Sequence, residues 1–223
     1  VRNDSLLLST MDGSHAFLFS AEISGDSLIG IFRSGNHWKQ NWSAELFKEH
    51  ELADPATLTT NTNQGVVDFS FPDETGRLVS LSDSAFMNKP VIVSIMGIWC
   101  PNCLDEAIFL KDQKDKYNGT DLQIVALAFE LISDSAQAAK NIRKFKNSVG
   151  ADFPVLLASL KSTKTKAGQT LPFLSGISSY PTMIVLNRDH EIVKIHTGFT
   201  GPATGEVYKQ FYDEYSALFG SLL

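Results

Sequence analysis

The stretch "VIVSIMGIWCPNC", Val91 to Cys103, decides the fold because it leads from an apolar run directly to two closely spaced cysteines. Val91–Gly97 is almost continuously apolar, as expected of a strand that is buried on both faces of a sheet. Pro101 follows, and proline is well tolerated in the first turn of a helix. The pattern therefore predicts a strand, a short turn and a helix, with Trp99 and Cys100 at the helix N-terminus.

This placement favours a reactive thiolate at Cys100. Backbone N–H groups are unpaired at a helix N-terminus and the helix dipole is positive there, which lowers a cysteine pKa below its usual ~8.5. Cys103 falls one turn further on the same face, so a disulfide can close between the two. Leu104, Ala107 and Ile108 are predicted to form the apolar face of the helix. We interpret the cysteine pair as a two-electron switch.

Other uses of the pair are open on the motif alone. The chain has two cysteines, so the motif is half of a zinc site that histidines would have to complete, or a structural disulfide that closes a small loop and adds little stability. Leu104 stands where haem attachment needs histidine. The five histidines lack ligand-like spacing and are His15, His37, His50, His190 and His196. We therefore expect thiol chemistry and no bound metal.

Composition limits the partners. The 223 residues are 43% hydrophobic and 20% charged, with a formal net charge of −6, which is typical of a globular protein and does not favour nucleic acid. The longest apolar run, Val91–Trp99, is too short for a bilayer, which takes ~20 residues. The sequence starts at Val1 rather than Met. We expect any targeting segment or membrane tether to lie outside this sequence.

The first part of the chain, residues 1–55, is predicted to be a β-rich segment. Ala16–Ile23 and Ser27–Ser34 read as a hairpin, and Asn41–Phe47 alternates as a third strand. About three strands are too few for an independent core, so we expect this segment to belong to a larger or packed β unit. The polar stretch Glu51–Gly65 is predicted to be a linker.

The rest of the chain alternates strands with helices. Gln123–Phe129 and Phe153–Ala158 are predicted strands, and Asp134–Gly150 is a predicted helix with a terminal glycine stop. A hairpin with its turn at Asn187–His190 follows, and an amphipathic helix begins at about Thr204. This order predicts an α/β sandwich.

Five segments between residues 65 and 223 resemble a known family. They are "FSFPDETGRLVSLSD", "WCPNCLDE", "FPVLLA", "YPTMIVLNRDHEIVKIHTG" and "GPATG". Together they look like the thioredoxin superfamily, and within it the TlpA-like thiol-disulfide reductases related to cytochrome c maturation proteins, as exported by Bacteroidetes. The resemblance implies a thioredoxin-like three-layer sandwich over residues 56–223, with an N-terminal β-hairpin extension and a strand–helix insert at about 153–168, preceded by the β-rich segment.

The resemblance also implies roles for individual residues. Cys100 would be the attacking thiol and Cys103 the resolving thiol. Pro181 matches the family's cis-proline, beside which the backbone of Tyr180 would pair with an extended substrate segment; an ordinary trans turn is the alternative. Trp99 would shield the thiols and contact the partner, or is simply a large residue at the edge of the core.

Two glutamates, Glu106 and Glu130, are further candidates for the site. Glu106 falls where the reductase branch has a glutamate and would accept or relay the proton of Cys103, with a raised pKa. The alternative is a first-turn helix acid favoured by the dipole. The strand Val91–Gly97 lacks the buried acid of general thioredoxins, which strengthens the case for Glu106. Glu130 ends the next strand, on the edge of the sheet where the sites of α/β proteins gather, and is therefore a site candidate; the alternative, which we expect, is a solvated side chain.

The predicted function is a protein disulfide reductase outside the cytoplasm. It would act as a monomer on a disulfide-containing protein, receive electrons from an upstream thiol protein, and need no organic cofactor or metal. A redox-sensing or partner-binding module with the disulfide as a lock is one alternative. A peroxiredoxin-type peroxidase is another, but Gly97 stands where that chemistry needs threonine. Asn102 departs from the proline common at its position, so the direction of exchange stays open.

Overall fold

The computed structural model describes the chain in two compact units, residues 1–52 and 53–223. In the part of the chain that is described, no helix is long and apolar enough to cross a membrane. The described residues are 4–11, 16–36, 38–47, 53–62 and 66–223.

The N-terminal unit is a four-stranded antiparallel sheet in the order β1-β2-β3-β4. Its strands are β1 (Ser5–Met11), β2 (Ala16–Ser24), β3 (Ser27–Ser34) and β4 (Trp38–Glu45). The predicted hairpin of β2 and β3 is confirmed. The sequence analysis missed β1, whose consecutive leucines break the alternation that marks a half-buried strand, and placed β4 three residues too late.

The C-terminal unit contains a five-stranded sheet in the order β11-β10-β7-β8-β9, and a separate two-stranded hairpin, β5-β6. The three strands β7, β8 and β9 run parallel, and β10 and β11 are antiparallel to their neighbours. The bounds are β5 (Ser70–Pro72), β6 (Leu78–Ser80), β7 (Val91–Met96), β8 (Gln123–Phe129), β9 (Val155–Ser159), β10 (Thr182–Leu186) and β11 (Ile192–Thr197). All six residues of β7 are buried, as its continuous apolar run predicts.

Helices and the hairpin cover the sheet on both faces. The helices are α1 (Pro101–Lys116), α2 (Ser135–Val149), α3 (Lys164–Thr170) and α4 (Glu206–Ser221). Buried side chains of α1, α2 and α4 share one core with the sheet, while α3 and the β5-β6 hairpin share the other. The predicted thioredoxin-like three-layer sandwich, with its hairpin extension and strand–helix insert, is confirmed.

Helix α1 is rotated relative to the sequence prediction. Of the predicted apolar face only Ala107 is buried, and Leu104 and Ile108 are 39% and 44% exposed. The sequence could not show which way the helix turns, because its buried side chains pack against the sheet, α2 and α4, which lie elsewhere in the chain. The buried residues of α1 are Cys103, Glu106, Ala107, Phe109, Leu110 and Gln113.

Phe109 holds α1 in this orientation. Its ring lies 5.4 to 6.2 Å, centroid to centroid, from four other aromatic rings. These belong to Phe199, Phe211, Tyr212 and Phe219. Such contacts add to the apolar area that α1 and α4 bury against each other. They fix the helix whose N-terminus carries the cysteines.

Residues 53–62, which we call the strap, are not the free linker that the sequence predicted. Backbone hydrogen bonds join the strap to the loop 171–178: Thr62 N–H donates to the Phe173 carbonyl at 2.9 Å, and Ser175 N–H donates to the Thr60 carbonyl at 2.9 Å. The strap therefore belongs to the C-terminal unit. Residues 51, 52 and 63–65 of the predicted linker lie outside the described part of the chain.

We expect Phe109→Ala to lower the free energy of unfolding by about 3 to 5 kcal/mol, because it leaves a cavity between α1 and α4. Urea denaturation of the reduced protein measures this loss. Val207→Ala is the matched control, since Val207 lies on α4 and is 56% exposed, and it should change stability by less than about 0.5 kcal/mol. Equal losses in the two variants would contradict the role given to Phe109.

Candidate active site

The end of β7 delivers Cys100 to the N-terminus of α1, as the sequence predicted. Cys100 is the N-cap residue with extended backbone angles, φ −99° and ψ 117°, and no side-chain oxygen caps the helix. The backbone N–H of Cys103 donates to the Cys100 carbonyl at 3.1 Å. Both cysteines are free thiols, with exposed fractions of 8% for Cys100 and 1% for Cys103.

The two thiols have opposite electrostatic environments. A hydrogen bond from the Cys103 side chain lowers the pKa of Cys100 against the effect of burial, and the backbone N–H groups of Cys103 and Asn102 lower it further. Burial raises the pKa of Cys103, and the neighbouring Cys100 raises it again. One sulfur of the pair is therefore prepared to be a thiolate while the other keeps its proton.

Glu106 is buried beside the thiols. Its Oε2 accepts a hydrogen bond from Ser94 Oγ at 2.5 Å, and its Oε1 has no partner among the described side chains and backbone. Burial raises the pKa of Glu106 to about 8, the charge of Cys100 raises it too, and the bond from Ser94 opposes the shift. The first turn of α1 contains no acidic residue, so the alternative of a first-turn acid favoured by the helix dipole is wrong.

Tyr180 and Pro181 face the cysteines from the start of β10. The Tyr180–Pro181 peptide bond is cis. Cys100 Sγ lies 3.8 Å from the Tyr180 carbonyl oxygen. The ring of Trp99 meets the ring of Tyr180 edge to face at 5.6 Å. The structure thus brings Tyr180 and Pro181 to the cysteines and their neighbours Trp99 and Glu106, although Tyr180 lies 80 positions after Cys100 in the chain.

The sequence analysis missed the contacts that fix the turn between β7 and α1. Trp99 Nε1–H donates to the Phe129 carbonyl at 3.1 Å, and Ile98 N–H donates to Glu130 Oε1 at 3.0 Å. Glu130 is only 3% exposed, so the expectation of a solvated side chain is wrong. Its position directly after a buried parallel strand is the signal that made it a site candidate in the sequence.

Gly97 is required by the same turn. A Cβ at this position would lie 2.5 Å from the indole of Trp99.

Ser94, like Glu130, belongs to the site although the sequence analysis passed over it. A lone hydroxyl in an apolar strand has to find a buried partner. Among the residues that the structure describes, no group of three or more His, Cys, Asp and Glu lies together as metal ligands would.

Comparison with known proteins places the chain in a family. The redoxin family model matches residues 61–210. The chain belongs to the redoxin family. Two relatives are the thiol-disulfide oxidoreductase ResA of Bacillus subtilis, 28% identical over 130 residues, 58% of this chain and 64% of that protein, and ResA of Halalkalibacterium halodurans, 25% identical over 132 residues, 59% of this chain and 66% of that protein. This redoxin spans just under two thirds of the length of these curated relatives.

Solved structures with a similar fold include two bacterial proteins. A thiol-disulfide oxidoreductase from Bacteroides fragilis matches with a TM-score of 0.48 and 19% identity, over 65% of this chain and 98% of that one. A thiol:disulfide interchange protein of the thioredoxin family from Chlorobium tepidum matches with a TM-score of 0.48 and 18% identity, over 69% of this chain and 99% of that one.

We expect Gly97→Ala to push the indole of Trp99 out of its place and to cost about 1 to 3 kcal/mol of stability. Denaturant unfolding measures the cost, and the double variant Gly97→Ala, Trp99→Ala supplies the control. Because the added methyl group has no indole to meet in the double variant, the glycine substitution should cost clearly less there. Strict additivity of the two substitutions would refute the steric account.

We expect the stability of the reduced protein to fall between pH 5 and pH 8 because of Glu106. Its pKa is about 8 in the folded protein against 4.5 ordinarily, so across this range the folded state holds a proton that the unfolded state has released, and rising pH favours unfolding. The expected loss is roughly 3 kcal/mol beyond that of Glu106→Gln, which cannot titrate.

Urea denaturation at several pH values measures this difference. Both proteins keep their cysteines, so the titration of the thiols cancels to a first approximation. Parallel pH dependence in the wild type and Glu106→Gln would show that Glu106 is ionised in the folded protein throughout.

Proposed function

We propose that this redoxin is a thiol-disulfide oxidoreductase that reduces disulfides of proteins outside the cytoplasm. The observation that carries the proposal is the pair of free thiols at the N-terminus of α1, with the pKa lowered at Cys100 and raised at Cys103. Membership of the redoxin family and relatives named as thiol-disulfide oxidoreductases support it.

The reaction follows from the two pKa directions. The Cys100 thiolate attacks one sulfur of the substrate disulfide, that bond breaks, and the other substrate sulfur leaves as a thiolate that takes up a proton. Cys103 then loses its proton and attacks Cys100 Sγ in the mixed disulfide. The Cys100–Cys103 disulfide forms and the second substrate thiolate leaves. The substrate gains two electrons and two protons, and the protein dithiol is oxidised.

Glu106 is proposed to give its own proton to the first substrate thiolate that leaves, and then, as a carboxylate, to take the proton from Cys103. While Cys100 is a thiolate, its charge raises the pKa of both Glu106 and Cys103. That charge disappears when the mixed disulfide forms, so both pKa values fall at the step where Cys103 has to ionise. A carboxylate whose pKa is near the working pH is well matched to this task.

Trp99 and Tyr180 are proposed to contact the substrate. Trp99 is 43% exposed. Because its indole N–H already donates to the Phe129 carbonyl, the ring presents mainly an apolar face to a partner. The Tyr180 backbone, with Pro181 next to it, lies within 3.8 Å of Cys100 Sγ. An extended segment beside the substrate disulfide would bind there.

The location and the electron supply are part of the proposal. The extracytoplasmic or periplasmic location rests on the likeness of five sequence segments to TlpA-like reductases. An upstream thiol protein would return the disulfide to the dithiol state. The proposed catalyst acts as a monomer and uses no cofactor besides its own cysteines.

We expect the protein to catalyse insulin reduction by dithiothreitol, followed as turbidity. Cys100→Ser should reduce the rate to the uncatalysed background, because it removes the attacking sulfur. Cys103→Ser should instead accumulate a mixed disulfide between Cys100 and the substrate, which non-reducing electrophoresis and mass spectrometry detect, because no second thiol resolves it.

The two variants separate the competing functions. Full turnover in Cys100→Ser would overturn the catalytic assignment. A wild-type protein that forms the Cys100–Cys103 disulfide but catalyses no reduction would favour the redox-sensing module over the reductase.

A further inference from the structure

The turn between β7 and α1 is tethered to the end of β8 at two adjacent points. β7 ends at Met96, so the backbone N–H of Ile98 needs a partner outside the ladder of β-sheet hydrogen bonds. It donates to Glu130 Oε1 at 3.0 Å, and the neighbouring side chain of Trp99 donates to the Phe129 carbonyl at 3.1 Å. Both acceptors belong to consecutive residues of one strand end.

We propose that Glu130 is a positioning residue for Cys100, and that its buried carboxylate fixes the turn 97–99 through the N–H of Ile98. The proposal builds on the proposed thiol chemistry, since it concerns the sulfur that would attack the substrate. It assigns to Glu130 no contact with substrate and no proton transfer.

Glu130 is itself held firmly enough for this role. Its backbone N–H donates to the Ser159 carbonyl at 2.9 Å, and its carbonyl accepts from the Ser162 N–H at 2.9 Å. The side chain is 3% exposed. A carboxyl group at such a site loses hydration and is tolerated when hydrogen bonds replace the lost water. The bond from Ile98 is that replacement, and in turn it fixes the turn.

The turn determines where the Cys100 sulfur lies. The N–H of Cys100 donates to the Gly97 carbonyl at 3.0 Å and closes the turn. Directly after it, the sulfur has to meet the N–H groups of the first helical turn and lie 3.8 Å from the Tyr180 carbonyl. A change in the turn would therefore alter both the stabilisation of the thiolate and its approach to a substrate held at Tyr180.

The two buried carboxyl groups of the site differ in their relation to the thiols. Burial raises the pKa of both Glu106 and Glu130; at Glu106 the charge of Cys100 adds to this effect, whereas at Glu130 the hydrogen bond from the Ile98 N–H opposes it. Glu130 therefore influences Cys100 through the backbone, and Glu106 remains the candidate for proton transfer.

The test replaces Glu130 with Met and with Gln in the full chain. Methionine is similar in size but lacks the oxygen acceptor, while glutamine keeps one. In Glu130→Met we expect faster hydrogen exchange at the Ile98 amide, because this N–H has lost its acceptor. We also expect iodoacetamide to alkylate Cys100 about tenfold more slowly at pH values below the pKa of Cys100, because the displaced thiolate loses about one hydrogen bond from a backbone N–H group. Glu130→Gln should restore both to within about twofold of wild type, since the acceptor is kept.

Asp134→Ala is the matched control. Asp134 caps α2 by accepting from the N–H groups of Ala136 and Gln137, so its loss destabilises the protein by about 1 kcal/mol without touching the turn. It should leave the alkylation of Cys100 unchanged, which separates positioning from a general loss of stability.

Each outcome bears on the proposal. Unchanged alkylation in Glu130→Met would overturn it, and so would Glu130→Gln behaving like Glu130→Met, because the negative charge would then matter rather than the acceptor. Should Glu130→Met fail to fold, Ile98 exchange and Cys100 alkylation in Glu130→Gln still decide, since the proposal requires both to stay near wild type. Wild-type protein that alkylates as expected but does not reduce insulin would refute the proposed function and leave the positioning role standing.

Discussion

The site depends on a helix N-terminus that is left without an oxygen cap. Serine, threonine, aspartate or asparagine normally satisfies the first N–H groups of a helix, as Asp134 does for α2. In α1 the N-cap residue is Cys100, and no side chain caps the helix. The free donors are thus available to a sulfur. The buried strand β7 on one side and the aromatic contacts of Phe109 on the other hold this helix end in place.

Burial separates the two cysteines chemically even though only two residues lie between them. Cys100 keeps a small exposed fraction and the N–H groups of the helix, whereas Cys103 is enclosed at 1% exposure beside a carboxyl group that is also enclosed. The same desolvation that keeps the proton on Cys103 keeps a proton on Glu106 at neutral pH. A change of charge on one sulfur is therefore felt by the two other groups.

Local patterns predicted the elements, and contacts between distant parts of the chain escaped prediction. The strand, turn and helix around Cys100 and the glycine stop of α2 at Gly150 are encoded within a few residues, so the sequence was sufficient. Ile98 and Glu130 are 32 positions apart, and the buried face of α1 packs against the sheet, α2 and α4. No periodicity in a single segment reports such a pairing. The resemblance to a family selected Glu106 and Pro181, which local patterns alone would have left among many polar and turn residues.

The strap has a consequence for where the unit that carries the cysteines begins. A shortened chain starting at Val66 would retain the hairpin, all five sheet strands and all four helices. It would nevertheless strip hydrogen-bond partners from the Phe173 carbonyl and the Ser175 amide, a few positions ahead of Tyr180. A chain trimmed at residue 66 would thus lose contacts of the loop that leads to Tyr180, whose carbonyl oxygen lies 3.8 Å from the Cys100 sulfur.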